Sequence, residues 1–390
     1  MKTCIYCGKS KLESEFSSLE HLIPQFLGGT YAPDRFKTRD ACTRCNSVLG
    51  LFVDGSFAKS WMVKNWLTFA GLAAYTADST VGPPLMFMGI SQWEMPGLGE
   101  DRVCESWLGP AGEQVYLVRP KDERFYWYAG GNPIDTKDVE SRAYFVFSEK
   151  SHVDPRKTLL AFRDAFKDTR AKKISYTEVG GFDLSSIGFS EPDELDRQRI
   201  NFLREETQKT PVRNVSIPMN LHFDYRFMSK LALGVGYAIF GDKLLQSNYY
   251  KELQRGLWYR DGEPTPEIRG TAALGQSQIA ISETFKKFTG MIHAVTLIIS
   301  VVPEGAVLTL TLGSSHVWNV LCATRELVTD DFVLEFGDGK VFVIYPFLSE
   351  CIELTLAGLL GHKLGAHVDP KLASAEIRAS VGQPRLEEDP

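Results

Sequence analysis

The chain contains no apolar run of the roughly eighteen residues needed to cross a bilayer; the longest candidate, 291–303, is too short and includes His293. No internal repeat or low-complexity tract is evident, which argues against solenoid and linker architectures. No targeting segment is recognisable, so a cytoplasmic location with no membrane partner is expected. A strong charge imbalance is also missing. The net charge of −6 speaks against a surface built for nonspecific polyanion binding. Cysteine is scarce, at seven in 390 residues, and that excludes a disulfide-dense scaffold. The chain is nevertheless 44% hydrophobic and 12% aromatic, enough for most of it to fold, and its length suggests two or three domains.

Four of the seven cysteines are concentrated near the N-terminus, as Cys4-x-x-Cys7 and Cys42-x-x-Cys45. A two-residue spacer lets both thiolates of a pair reach one ion, and turn residues (Gly8, Asn46, Ser47) follow the pairs. Four thiolates complete a tetrahedron around Zn²⁺ and leave no open position, so this zinc is structural. It would tie together a module too small for a large core. Cys104, Cys322 and Cys351 are isolated and read as small buried hydrophobes.

Between the pairs, Phe16 to Pro24 reads as a short strand entering a loop that ends at Gly28-Gly29. After the second pair, 48–54 reads as a helix start interrupted by Gly50, with a further helix from about Phe57. Strand, loop and helix tied by a metal would hold His21 on one element and Asn46 on another.

These residues, CIYC, EHLIPQFLGG and CTRCN with Gly50 and Asp54 downstream, resemble the HNH, or His-Me finger, nuclease family. The resemblance covers about residues 1–60. It implies that His21 is the general base activating water, and that Glu20 and Asn46 bind one catalytic divalent ion, Mg²⁺ or Mn²⁺. Cys4, Cys7, Cys42 and Cys45 would hold the structural zinc. Many family members carry a further asparagine before the second cysteine pair, where this chain reads Phe36-Lys37-Thr38-Arg39-Asp40-Ala41. Thr38 and Asp40 are candidates to orient the base loop instead, with Asp54 a weaker candidate for a supporting or metal contact. An imidazole near neutral pH and a hard cation on oxygen ligands suit phosphodiester hydrolysis.

Charge is unevenly distributed. Residues 1–60 hold eight Lys and Arg against six Asp and Glu, a balance of +2 that leaves −8 for the rest. Arg35, Lys37, Arg39 and Arg44 are the candidate DNA contacts.

The fold class expected is α+β: an N-terminal zinc-bound ββα-metal, treble-clef-like finger followed by a larger mixed α/β region. Three segments are expected: a nuclease domain over 1–75, a mixed strand and helix region over 76–210, and an α+β regulatory, sensing or partner-binding domain over 211–390. Strands are read at 114–119, 125–129 and 143–147, helices at 57–75, 157–168 and 225–245, adjacent strands at 291–302 and 306–312, and a hairpin from 332–336 and 340–345. Gly234 and Gly236 would let the 225–245 helix pack closely. Asp224 with His222 reads as backbone satisfaction, and His362 and His367 offer too few ligands for a metal.

The function expected is a metal-dependent DNA endonuclease, by analogy an antiphage defence effector whose C-terminal part answers a small-molecule signal or protein partner, or drives homo-oligomerisation. The competing reading is a zinc-stabilised DNA-binding or scaffold protein without catalysis.

Overall fold

The computed structural model describes residues 1–76, 78–80, 82–121, 141–167, 169–177, 183–209, 215–216, 222–260, 262–271 and 288–382. The strand read at 125–129 lies outside them. The chain divides into two units, one formed by Met1–Ala58 with Asn220–Pro390 and the other by Lys59–Met219. The finger therefore shares a unit with the C-terminal residues, whereas the sequence reading had grouped it with the 57–75 helix. The helix forms as Trp61–Ala73 and belongs to the other unit. Its Trp61 indole donates to the Phe87 carbonyl at 3.0 Å.

The finger begins with two short antiparallel pairs, β1 (Lys2–Thr3) with β2 (Ser10–Lys11) and β3 (Glu20–His21) with β4 (Lys37–Thr38). Helix Thr43–Leu49 follows. Gly50 does not interrupt it: Gly50–Asp54 continues as one π-helical turn, with Gly55 N–H bonded to the Gly50 carbonyl, and Gly55–Ala58 resumes the α-helix. Gly50 has ordinary right-handed dihedrals, so the glycine lowers helix propensity without forcing a stop.

In the Lys59–Met219 unit, β5 (Met86–Ser91), β6 (Arg102–Leu108), β7 (Gln114–Pro120), β8 (Arg142–Val146), β9 (Lys172–Ser175) and β10 (Val215–Ser216) form one sheet, in the order β10-β5-β6-β7-β8-β9. Only β8 and β9 run parallel. Alternation assigns the faces. Val115, Leu117 and Phe145 pack against Phe162 and Phe166, at helix Pro155–Ala165. Tyr116, Val118 and Tyr144 pack on the other face with Leu203 of helix Glu194–Lys209. Both faces are covered, which is why the strands read as continuous apolar runs.

The C-terminal part of the first unit starts with helices His222–Phe240, Asp242–Gln246 and Asn248–Leu257. Its sheet runs β11-β14-β13-β12-β15-β16, from β11 (Gly270–Thr271), β12 (Val295–Val302), β13 (Gly305–Leu312), β14 (His316–Thr324), β15 (Lys340–Tyr345) and β16 (Glu350–Thr355), every pair antiparallel. Along β15, Val341, Val343 and Tyr345 face Leu359 and Leu372 of helices Leu356–Lys363 and Pro370–Ala379. The alternate residues face the finger: Phe342 meets Phe36 edge-on at 5.1 Å, and a Cβ on Gly28 would strike Ile344. Across the same unit, Phe57 of the finger stacks on Phe227 at 3.7 Å and meets Trp318 at 5.3 Å.

The expected 332–336 strand is a helix, Asp330–Phe336. Thr329 caps it by accepting from Phe332 N–H, Asp330 and Asp331 lie in its first turn, and Phe332 and Phe336 are one helical turn apart. Those local signals outweigh the β-forming aromatics. Strand β15 pairs instead with β12 and β16.

Candidate active site and metal cluster

The four paired cysteines converge, their sulfurs all within 4.8 Å of one another. Among the described residues this is the only group of three or more His, Cys, Asp or Glu with ligand atoms so close. Three of the four are buried, and Cys42 N–H donates to Cys4 Sγ at 3.3 Å. A hydrogen bond from Cys45 pulls the Cys4 thiol down to about 4, against its burial. Burial raises the Cys7 thiol, and the bond to Cys4 raises that of Cys45, so the fit rests on geometry: four convergent sulfurs, three of them buried, suit a structural ion such as Zn²⁺.

The cluster joins the start of the chain to helix Thr43–Leu49 and so positions the segment between. Strand β3 carries Glu20 and His21, and the ladder sets Glu20 opposite Thr38 and His21 opposite Lys37. Thr38 hydroxyl donates to Asp40 at 2.7 Å, and Asp40 also receives Lys2 at 2.5 Å and Tyr237 hydroxyl at 2.9 Å. Thr38 and Asp40 thus brace β4 and tie it to helix His222–Phe240. The loop after His21 closes tightly: Gly29 N–H bonds the Pro24 carbonyl, and a Cβ at Gly29 would lie 1.6 Å from the Ile23 carbonyl oxygen.

His21 is partly exposed, with Gln25 Nε2 at 3.4 Å from its Nδ1. Burial lowers its pKa below the ordinary histidine value, Lys37 and Lys230 adding to the effect and Glu20 opposing it. The imidazole is therefore neutral at neutral pH, the form that accepts a proton. Asn46 lies inside helix Thr43–Leu49 and does not cap it; its Nδ2 donates to Ser18 Oγ and the Leu19 carbonyl, each at 3.1 Å. It fastens the helix to the chain just before Glu20.

Glu20 is placed differently from a free metal ligand. It is 2% exposed, and its Oε1 accepts from Tyr6 hydroxyl at 3.0 Å and from Lys230 Nζ at 2.9 Å. Lys230 Nζ also lies 2.5 Å from Asp54 Oδ2 and 5.6 Å from the Tyr6 ring centroid. Burial pushes Asp54 up to about 6, with Lys230 opposing. For Lys230, burial disfavours the charge, but Asp54 and Glu20 outweigh it and hold the pKa above the ordinary lysine value. The oxygen donors suit a hard cation in type. One oxygen of each carboxylate, Glu20 Oε1 and Asp54 Oδ2, is already engaged by the Lys230 ammonium.

Of the four candidate DNA contacts, three are engaged within the chain. Arg35 pairs with Glu335 at 2.5 Å, Lys37 with Asp34 at 2.9 Å, and Arg39 donates to the Ser17 carbonyl at 2.8 Å. Arg44 lines a groove with Lys9, Lys11, Lys251, Arg255 and Trp258, beside Cys7 and Cys45.

Residues 4–62 match the HNH endonuclease family model HNH_5. The chain carries an N-terminal HNH endonuclease domain. No curated protein and no solved structure matches the chain. The match spans both cysteine pairs of the HNH domain together with Glu20, His21, Asn46 and Asp54.

Lys230 and Tyr6 escaped the sequence reading. Tyr6 carried no signal beyond lying inside the first cysteine pair. Lys230 did carry one: it is a lone charge between Met228 and Leu231 in an apolar helix, and Lys is seldom fully buried unless paired. Elsewhere, Asp224 accepts from the Trp318 indole at 3.2 Å, and His362 bonds Glu376 at 3.0 Å and Asp369 N–H at 3.0 Å. No helix among the described residues is long and apolar enough to cross a membrane.

Proposed function

We propose that the HNH domain is an endonuclease that hydrolyses DNA phosphodiester bonds, with His21 as its general base. The single observation behind this is His21 itself: a partly exposed imidazole on β3 within the matched domain, next in sequence to Glu20, its pKa lowered by burial. In this reading β3, β4 and that helix form a ββα-metal finger around a structural Zn²⁺. His21 removes a proton from water, the resulting hydroxide bonds to phosphorus, and the phosphorus–oxygen bond to the leaving sugar breaks as that oxygen takes up a proton. A divalent cation, Mg²⁺ or Mn²⁺, belongs to the reading and supplies charge neutralisation at the phosphate when bound. Arg44 and its groove are the surface assigned to DNA.

Residues 211–390 regulate or target the finger in this proposal, as in an antiphage defence effector answering a small molecule, a protein partner or self-assembly. The contacts of Tyr237 with Asp40 and of Lys230 with Glu20 support a regulatory link from the C-terminal helix.

One observation favours the alternative of a zinc-stabilised DNA-binding protein without catalysis, namely the engagement of Glu20 by Lys230 and Tyr6. Cleavage of supercoiled plasmid separates the two readings. Wild type should cut with Mg²⁺ or Mn²⁺ and not with EDTA, and His21→Ala should bind DNA yet lose cutting. Equal cutting by His21→Ala, or none by wild type under any condition, would refute the hydrolytic assignment.

A further inference from the structure

Two carboxylates from different parts of the finger, Glu20 on β3 and Asp54 at the end of the π-helical turn, converge on a single point. That point is Lys230 Nζ, 2.9 Å from Glu20 Oε1 and 2.5 Å from Asp54 Oδ2. The lysine side chain is 2% exposed, Glu20's 3% and Asp54's 16%, so solvent screens the group little. Ionised, the two acids carry −2 against the single +1 of the ammonium, and a buried charge left uncompensated is costly. Asp54 Oδ1 is buried without a hydrogen-bond partner, an acceptor the ammonium does not serve. The cluster therefore has one more negative charge and one more acceptor oxygen than its cation satisfies. The π turn contributes to this: one extra residue per turn re-aims the side chain that follows, and such turns recur at functional sites.

We propose that Glu20 and Asp54 form one cation site whose resident cation is the Lys230 ammonium, and that a divalent ion enters only by displacing it. The site pairs Glu20 with Asp54, on the inner side of β3. A divalent cation balances both carboxylates and takes oxygen donors. Displacement requires the Lys230 side chain to withdraw from the two carboxylates, and its helix also holds the finger through Tyr237 and Asp40 and through close packing at Gly234. Ion entry and the position of helix His222–Phe240 are thereby coupled. The inference draws on the nuclease reading for the importance of the ion, but its evidence is binding.

The test is Mn²⁺ binding by the zinc-loaded full-length chain, followed by calorimetry and by the loss of free Mn²⁺ signal in electron paramagnetic resonance. Lys230→Met should take up one Mn²⁺ per chain about ten-fold or more tightly than wild type, because the competing state is gone. The gain should vanish in K230M/E20Q and in K230M/D54N, and Lys230→Arg, which keeps the charge, should show none. No gain in Lys230→Met, a gain that survives both acid substitutions, or an equal gain in Lys230→Arg would overturn the proposal. If Lys230→Met is unfolded without metal, Mn²⁺-dependent recovery of its thermal transition supports the proposal, and failure to recover in saturating Mn²⁺ overturns it. Binding without plasmid cleavage would keep the cation site and sink the nuclease reading; cleavage without the gain in Mn²⁺ binding would do the reverse.

Discussion

Gly234 sits against Leu22, the residue after His21: a Cβ at 234 would lie 3.1 Å from Leu22 Cβ and 3.3 Å from the Leu22 carbonyl oxygen. Lys230 precedes Gly234 by one helical turn, so both present to the same segment of the finger. Gly234→Ala pits better helix propensity against that contact, whereas Gly234→Leu must push the helix away. Gly234→Leu should cost about 1–3 kcal/mol of stability in a urea titration. A neutral result would mean that the helix and the 20–22 segment are not packed this closely.

The cysteine cluster should carry one zinc per chain by metal analysis of the purified protein. Cys45→Ser removes one of four ligands and should both abolish stoichiometric zinc and lower the melting temperature of the Met1–Ala58 and Asn220–Pro390 unit. Full zinc retention in Cys45→Ser would show that the four sulfurs do not act as one site.

Gly29 should tolerate no side chain. A Cβ there falls 1.6 Å from the Ile23 carbonyl oxygen, a backbone atom that cannot turn aside. Gly29→Ala should destabilise by about 3 kcal/mol or more, a cost typical of strained backbone sites, as read by chemical denaturation. An effect below ~1 kcal/mol would contradict the tight loop after His21.

Asp224 gives a pH signature. Burial pushes its carboxyl up to about 6, with the Trp318 indole opposing, against an ordinary value of 3.8. The folded state thus holds its proton more tightly than the unfolded state. Stability from this group is full below pH ~4 and is lost as pH rises through about 6. Asp224→Asn keeps an acceptor for Trp318 without the charge. It should stabilise the protein by on the order of 1–3 kcal/mol at pH 8, the gain fading toward pH 4. A gain equal at both pH values would mean that ionisation of Asp224 is not its source.

His21→Ala should lower cleavage by about 10²–10⁴-fold, the usual contribution of a general base, with an unchanged melting temperature because the ring is partly exposed. Single-turnover plasmid cutting reads the rate. A loss below about ten-fold would assign the proton transfer to another group.

Much of the finger was legible along the chain because its determinants are local. Two x-x spacers let each cysteine pair face one ion, and the apolar runs at 114–119 and 143–147 mark strands that the fold buries on both faces. The 332–336 segment reads as one arm of a hairpin with 340–345, yet it is helical because the Thr329 cap and acidic first turn lie just before it. Gly50 was misread as a break because the π turn that absorbs it has no simple sequence mark.

The rest depended on contacts distant in sequence. Asp54 and Lys230 are 176 residues apart, and neither is unusual in its own segment beyond a lone charge among apolar neighbours. Their pairing arises because helix His222–Phe240 buries its apolar face against the finger, and a lysine carried into that interface must find carboxylates or lose its charge. Spacing specified which sulfurs could clasp a metal, and the resemblance of the sequence around His21 to the HNH family implied a base there. Folding specified that the Glu20 carboxylate beside that base already holds a cation, because burial brings together charges that the linear order keeps apart.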